Sequence, residues 1–151
     1  MPQFRPFNAT DVEALVEMMR ALFTSDNAPF DEAAARRGLA CALSQPGGTA
    51  ARVWLIEDDG QTAGYLALTF SFSFEFGGWC GFVDELYLRE AFRNRGWGSQ
   101  AIELAASTCR DLGMTALLLE ADLHNDKATA LYRRRGFVEH RRRLMRRHLS
   151  A

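Results

Sequence analysis

The order of helix-like and strand-like segments restricts the fold of this chain more than any other feature. One strand-like segment (residues 3–7) precedes two amphipathic helical segments, and two further strands meet at Asp59-Gly60, a turn signal of β-hairpins. Strand and helix then alternate, and residues 115–121 are nearly all apolar, as in a strand buried on both faces. Residues 137–149 are expected to add one or two last strands. This order predicts an α/β layered domain whose mixed central sheet of six or seven strands is flanked by about four helices.

Length and composition fit one domain over residues 1–151. Of the 151 residues, 48% are hydrophobic and 25% charged, which is ordinary for a globular protein with a buried core. The sequence does not start with a basic segment followed by an apolar one, and no apolar run approaches the roughly 18 residues of a membrane span. Three widely separated cysteines offer neither zinc spacing nor a disulfide framework. We therefore expect a cytoplasmic domain without a membrane segment or a metal.

Charge is distributed unevenly along the chain. Residues 1–126 have a balance of −9 and residues 127–151 one of +8, for a net charge of −1. A basic end can bind nucleic acid, but here no aromatic residues alternate with the arginines as they do on RNA-binding surfaces. We therefore do not expect nucleic acid as a partner, and a solvated face or a contact between subunits remains as the alternative.

The segment FRNRGWGSQAIELA (residues 92–105) has two arginines and two glycines immediately before a predicted helix. A helix N-terminus presents unpaired backbone N–H groups and a partial positive charge. Glycine lets an anion approach these groups closely, and Arg93 and Arg95 add full charges. The segment predicts a site for an anion such as a diphosphate, the alternative being a basic loop whose glycines only shape the turn.

The same segment also fits a dinucleotide-binding fingerprint. Residues 96–101, GWGSQA, match GxGxxA, and Glu120 ends the next strand about 20 residues later. The fingerprint normally follows its strand directly and begins a doubly wound sheet. Here REAFRNR intervenes, and two helices and a hairpin come first. A dinucleotide site is therefore the weaker alternative.

Two segments together resemble the GNAT family of N-acetyltransferases. Arg93, Gly96 and Gly98 match the acyl-CoA motif (Arg/Gln)-x-x-Gly-x-(Gly/Ala) of that family. The later segment NDKATALYRRRGF (residues 125–137) matches Asn-x-x-Ala-x-x-Leu-Tyr-x-x-x-Gly-Phe at every specified position. The resemblance covers about residues 82–137. It implies a GNAT-like acyl-CoA N-acyltransferase fold with acetyl-CoA as the acyl donor and no metal.

The resemblance also implies how the donor is held. In the family, the fourth and fifth strands diverge, and the pantetheine arm lies between them. Carried over, the backbone of Leu86, Tyr87 and Leu88 would bind pantetheine, and one of their N–H groups would polarise the thioester carbonyl. Asn125 would contact the pantetheine end, cap its own helix, or do both. The diphosphate would lie on a loop made of Arg93, Asn94, Arg95, Gly96, Trp97, Gly98 and Ser99.

Three residues are the implied catalytic groups. The attacking amine must lose a proton, and Asp84 and Glu85, adjacent on the fourth strand, are the candidate bases. Neighbours on a strand point to opposite faces, so only one of the two is expected to face the cleft. We prefer Asp84, on the side of Phe82, where some family members have a glutamate. Tyr132 matches the tyrosine that protonates the departing thiolate in many members.

The acceptor region implied by the resemblance combines carboxylates with aromatic side chains, which suits a cation. We therefore expect transfer of an acetyl group from acetyl-CoA to a primary amine of a small cationic acceptor, by direct attack in a ternary complex. The alternatives are a protein lysine or N-terminal acetyltransferase, and a non-catalytic module that binds coenzyme A or nucleic acid. A homodimer through the last strands, common in the family, is also left open. The residues of the acceptor region are Phe23, Asp26, Phe30, Asp31, Glu32, Phe74, Glu75, Phe76 and Trp79.

Overall fold

The computed structural model describes residues 1–149, which form one five-stranded sheet with helices on both faces. The strands, in their order across the sheet, are β1 (Gln3–Pro6), β2 (Ala51–Asp58), β3 (Gln61–Ser73), β4 (Gly78–Leu88) and β5 (Leu117–Leu119). The helices are α1 (Val12–Ser25), α2 (Glu32–Ser44), α3 (Trp97–Asp111) and α4 (Asp126–Arg134). Neighbouring strands are antiparallel except β4 and β5, which are parallel. The mixed α/β fold is confirmed, with five strands among the described residues instead of six or seven.

Side-chain alternation along the strands divides the core into two halves. On β2, Val53 and Leu55 pack against α1 and α2, whereas Trp54 and Ile56 pack against α3. Because both faces of the sheet are covered, the middle strands are fixed from two sides. Among residues 1–149, no helix combines the length and hydropathy of a membrane span.

The β2–β3 hairpin confirms the turn predicted from the sequence. Asp59 and Gly60 both have positive φ, 46° and 77°, as a two-residue type I′ turn requires. This turn begins the pairing of β2 with β3, and a bulge at Ala63 then shifts the register by one residue before the buried part of the hairpin.

Residues 10–13, TDVE, have the spacing of a capping box that would pair Thr10 with Glu13, but the start of α1 differs from it. Instead, Asn8 and Asp11 form the box, at a short 3₁₀ turn that precedes the helix. The Asp11 carboxylate accepts the Asn8 N–H at 2.8 Å, and Arg5 on β1 holds the same carboxylate at 2.9 Å. The ion pair with the sheet selects Asp11 over Glu13, which the local spacing alone does not reveal.

A β-bulge at Asp84 interrupts β4. Two adjacent residues of β3 pair with Val83 and Glu85, so Asp84 between them has no residue opposite. The extra residue shifts the alternation of the strand. Val83 and Leu86 both contact the core beneath α3, although residues three apart on a regular strand face opposite sides.

The end of the sheet also differs from the prediction. β5 contains three residues, forms the edge of the sheet, and is half-buried instead of buried on both faces. Residues 138–149 form no helix or strand, and their side chains are exposed. The five arginines in this segment interrupt any apolar alternation that a strand could bury. The predicted last strands are therefore wrong.

Candidate active site

A cleft opens where β4 and β5 diverge. The two strands pair only from Gly81 to Val83 on β4, opposite the three residues of β5. Residues 86–88 continue to pair with β3 but have no strand on their other side within the described part of the chain. The cleft between this free edge, α3 and α4 has a volume of about 760 Å³.

Ten of the eleven residues expected to bind the acyl donor line this cleft. The exception is Arg95, whose Nη2 donates to the Ala91 carbonyl at 3.0 Å. Its guanidinium lies 5.3 Å from the ring centroid of Phe92 and 5.4 Å from that of Trp97. The residues that do line the cleft are Leu86, Tyr87, Leu88, Arg93, Asn94, Gly96, Trp97, Gly98, Ser99 and Asn125.

The loop before α3 has the geometry of an anion site. Gly96 caps the helix with a φ of 78°, and Asn94 has a φ of 62°. The first N–H groups of α3 have no partner within the helix and are available to a ligand. Arg93 is anchored beside them, because its Nε donates to the Leu88 carbonyl at 2.8 Å. One end of the cleft is therefore positive.

Gly98 leaves space between the first turn of α3 and α4. A Cβ placed there would lie 3.5 Å from Leu131 and 4.0 Å from Leu88, both ordinary contact distances. The protein itself therefore tolerates a side-chain atom at this position. The same volume is open to a ligand that passes along the cleft.

A smaller cavity of about 110 Å³ adjoins the cleft and contains the candidate catalytic residues. Asp84 and Glu85 both line it, and Tyr132 lines both the cavity and the cleft. Both residues are therefore at the cavity, and the expectation that only one carboxylate faces it stays a prediction. The bulge at Asp84 breaks the strand alternation on which that expectation was based.

The two carboxylates differ in their hydrogen bonding. The Glu85 Oε2 accepts a hydrogen bond of 2.7 Å from the hydroxyl of Tyr65, which lies in the core beneath α1. Burial raises the pKa of Glu85, the Tyr65 hydrogen bond lowers it, and the charge of Asp84 raises it, with a net increase. The Asp84 side chain is exposed, yet the protein around it displaces enough water to raise its pKa as well. The cavity therefore holds one anchored carboxyl group and one that makes no hydrogen bond to a described residue.

Tyr132 is placed between the cavity and the cleft. Its ring is half-buried, and its centroid lies 6.0 Å from that of Phe137 in an edge-on contact. Burial, followed by the charge of Asp26, raises the pKa of the phenol above its ordinary value. The hydroxyl is therefore protonated at neutral pH and can donate a proton or a hydrogen bond.

The inner cavity is acidic. Asp26 follows the end of α1, and burial together with the charge of Asp122 raises its pKa. No group of three or more His, Cys, Asp or Glu side chains among residues 1–149 is arranged to hold a metal ion. The carboxylates that line the cavity are Asp26, Asp84, Glu85, Glu120 and Asp122.

Most acidic residues of the predicted acceptor region lie elsewhere. The Asp31 side chain caps α2 by accepting the Ala34 N–H, Glu32 pairs with arginines of α1 and α2, and Glu75 contacts His140. Of the predicted carboxylates only Asp26 reaches the cavity. The sequence did not indicate Glu120 and Asp122, because their proximity to α1 depends on where the edge strand β5 ends.

Two cationic side chains of the site were not predicted from the sequence. Lys127 and Arg134 line the outer cleft, together with His124. The spacing of Lys127, Leu131 and Arg134 puts them on one face of α4. This helical periodicity is the sequence signal that could have indicated the two cations. Asn125 is confirmed as the N-cap of α4, since its Oδ1 accepts the Ala128 N–H at 3.0 Å.

Comparisons with known proteins agree with this geometry. An integron cassette protein from the mobile metagenome of Cole Harbour salt marsh is 34% identical, with a TM-score of 0.82, over 99% of this chain and 91% of that one. An aminoglycoside antibiotic 6′-N-acetyltransferase from Acinetobacter haemolyticus is 20% identical, with a TM-score of 0.79, over 99% of both chains. A predicted acetyltransferase from Clostridium acetobutylicum, solved with acetyl-CoA, is 15% identical, with a TM-score of 0.82, over 97% of this chain and 96% of that one. No curated protein matches the sequence.

The sequence profile of the acetyltransferase (GNAT) family matches residues 13–137, which include α1 except its first residue, the whole cleft and both motifs. The match extends well beyond the two motifs. This chain therefore belongs to the acetyltransferase (GNAT) family.

Proposed function

We propose that this protein transfers an acetyl group from acetyl-CoA to a primary amine of a small cationic acceptor. The observation that supports the proposal is the charge separation along one continuous site. The outer cleft carries Arg93 and the N-terminus of α3, whereas five acidic residues line the adjoining inner cavity. Two of the five, Asp26 and Asp122, line the outer cleft as well. A donor with phosphates at one end and an acceptor with ammonium groups match this arrangement.

The free edge of β4 is suited to the pantetheine arm. Backbone groups of residues 86–88 on the side of β5 are not used by the sheet, so an extended amide chain can pair with them as a further strand would. One N–H of this edge would polarise the thioester carbonyl. The acetyl group would then lie beside the inner cavity, where the amine enters.

Side chains around the inner cavity accept and donate the protons of the reaction. Asp84, which makes no hydrogen bond to a described residue, accepts the proton of the incoming ammonium, directly or through water, and Glu85 is the second candidate. The Tyr132 hydroxyl donates a proton to the departing thiolate as the amide bond forms. Bringing the acceptor to the bound donor in a single complex lets the amine attack directly.

The amine specificity follows from the inner cavity. Its small volume accommodates one unbranched amine arm, and its carboxylates favour a cation. The aminoglycoside N-acetyltransferase among the structural neighbours is consistent with an acceptor that carries several ammonium groups. A dinucleotide is a poorer ligand, because the sheet is mostly antiparallel and lacks the doubly wound order of the dinucleotide fold.

The test is a panel of amines incubated with acetyl-CoA and the purified protein, with free thiol and acetylated product measured together. The panel contains diamines, polyamines, aminoglycosides, a lysine-containing peptide and neutral amines. We expect thiol release matched by N-acetylation, with cationic small molecules as the best acceptors. Exclusive use of the peptide would instead establish the protein-lysine alternative, and no turnover despite acetyl-CoA binding would overturn the proposed transfer.

A further inference from the structure

Two cations of α4 lie in the outer cleft beyond the loop that serves a diphosphate. Lys127 is at the start of the helix, and its ammonium lies 2.5 Å from Oδ1 of Asn94 in the loop. Arg134 is seven residues further along the same helix face, about 10 Å away at 1.5 Å per residue. Both line the same cleft as Arg93.

The three consecutive arginines at the end of α4 have different surroundings. Arg133 pairs with Glu139 at 2.5 Å, and Arg135 lies 3.7 Å from Glu103 on α3. Neither of these two lines the cleft. Arg134 does line it and forms no salt bridge with any carboxylate of residues 1–149. The cleft-facing arginine is therefore the one whose charge is left unneutralised.

We propose that Lys127 and Arg134 form a binding site for the 3′-phosphate of coenzyme A, which rests on the proposed function. The N-terminus of α3 and Arg93 suffice to bind the diphosphate, so Lys127 and Arg134 are available to bind a further phosphate group. A phosphate monoester carries nearly two negative charges at neutral pH and accepts several hydrogen bonds. It would neutralise two cations that otherwise repel each other across one face of the cleft.

Lys127 also has a geometric role in this site. Its contact with Asn94 connects α4 to the diphosphate loop across the cleft. A ligand with anionic groups at two separate positions can place one against the loop and the other against this face of α4. Coenzyme A has this property, and its 3′-dephospho form lacks the second position.

The test is calorimetric titration of the full chain with acetyl-CoA and with 3′-dephospho-acetyl-CoA. We expect the wild-type protein to prefer acetyl-CoA by about tenfold or more, as expected for charge-assisted phosphate contacts. The double variant Lys127→Met/Arg134→Met should lose most of this preference, because it weakens binding of acetyl-CoA and leaves the dephospho form nearly unaffected. Arg133→Met is the matched control, since that arginine is exposed but outside the cleft.

Each outcome separates this inference from the proposed function. If the double variant weakens both ligands equally, the two cations serve the diphosphate and the 3′-phosphate site is refuted. Equal affinity of the wild-type protein for both ligands refutes it as well. If the wild-type protein binds neither ligand, the proposed function itself fails. Circular dichroism and thermal unfolding of the variant verify that it is folded.

Discussion

The hydroxyl of Tyr65, fully buried on β3, donates a 2.7 Å hydrogen bond to the carboxylate of Glu85 at the edge of the inner cavity. This bond opposes the burial and the Asp84 charge that raise the pKa of Glu85. A side chain of the hydrophobic core, Tyr65, thus contacts a candidate catalytic residue directly. Glu85 is held in place, whereas neighbouring Asp84 makes no hydrogen bond to a described residue.

Tyr65→Phe should raise the pKa of Glu85, because it removes the hydrogen bond that favours the charged carboxylate. Asp84→Asn should lower the same pKa, because it removes the neighbouring negative charge. Carboxyl ¹³C NMR titration of the two variants measures both shifts without requiring an acceptor. Shifts of the same sign in the two variants would contradict the described arrangement.

Asp84→Asn should reduce the rate of acetyl transfer at neutral pH by about 10²–10⁴-fold, as for loss of a general base. The same change should raise the melting temperature at neutral pH. The folded-state pKa of Asp84 is raised, so ionisation of this group destabilises the folded protein as the pH increases through that pKa. Thiol-release kinetics and thermal unfolding check the two effects. If the Asp84→Asn variant keeps its activity, Asp84 is not the base and Glu85 is the remaining candidate. Glu85→Gln tests that alternative.

Tyr132→Phe should lower kcat by about 10²-fold or more, as for a general acid, with little change in acetyl-CoA affinity. Since the pKa of Tyr132 is raised above its ordinary value, the wild-type rate should not fall on account of this group at neutral or mildly alkaline pH. A pH–rate profile with calorimetric binding data checks this. Equal loss of affinity and of kcat would indicate a packing role against Phe137 instead.

Arg93→Ala should weaken acetyl-CoA binding, whereas Arg95→Ala should leave it nearly unchanged. The two arginines are two residues apart, but only Arg93 lines the cleft, and Arg95 stacks on Phe92 and Trp97. We expect a loss of about tenfold for Arg93→Ala, as for one charge-assisted contact to phosphate. A stronger effect of Arg95→Ala on affinity in a folded variant would show that the loop rearranges when the donor binds.

Gly98→Ala should leave the free energy of unfolding unchanged or raise it by up to about 1 kcal/mol, the helix preference of alanine over glycine. The added methyl group meets only ordinary contacts within the protein. Acetyl-CoA binding should be retained, since the acyl-CoA motif accepts alanine as well as glycine at this position. Denaturant unfolding and calorimetry measure the two properties, and a loss of binding in a folded variant would show that the ligand fills the space beside Gly98.

Local signals explain the parts of the fold that the sequence predicted. The Asp59-Gly60 turn and the cap of α4 at Asn125 involve residues within four positions of each other, so residue types alone identify them. The two family motifs then located the cleft, because both belong to the helices that border it.

Nonlocal pairing explains the parts that the sequence did not predict. The bulge at Asp84 depends on the register between β3 and β4, and register is not encoded in the alternation of β4 by itself. Asp26 and Asp122 lie close together at the inner cavity, beside the end of an edge strand, although they are almost a hundred positions apart in the sequence. The direction of Arg95 depends on the stacked rings of Phe92 and Trp97, whose arrangement the glycine pattern does not specify.

Titration calorimetry of the purified protein with acetyl-CoA, with NAD as a parallel control, is the decisive measurement for the acyl-donor site. We expect one-to-one binding of acetyl-CoA and no heat of binding with NAD. Binding of NAD in the absence of any response to acetyl-CoA would refute the acetyl-CoA site and would show that the glycine-rich loop before α3 serves a dinucleotide.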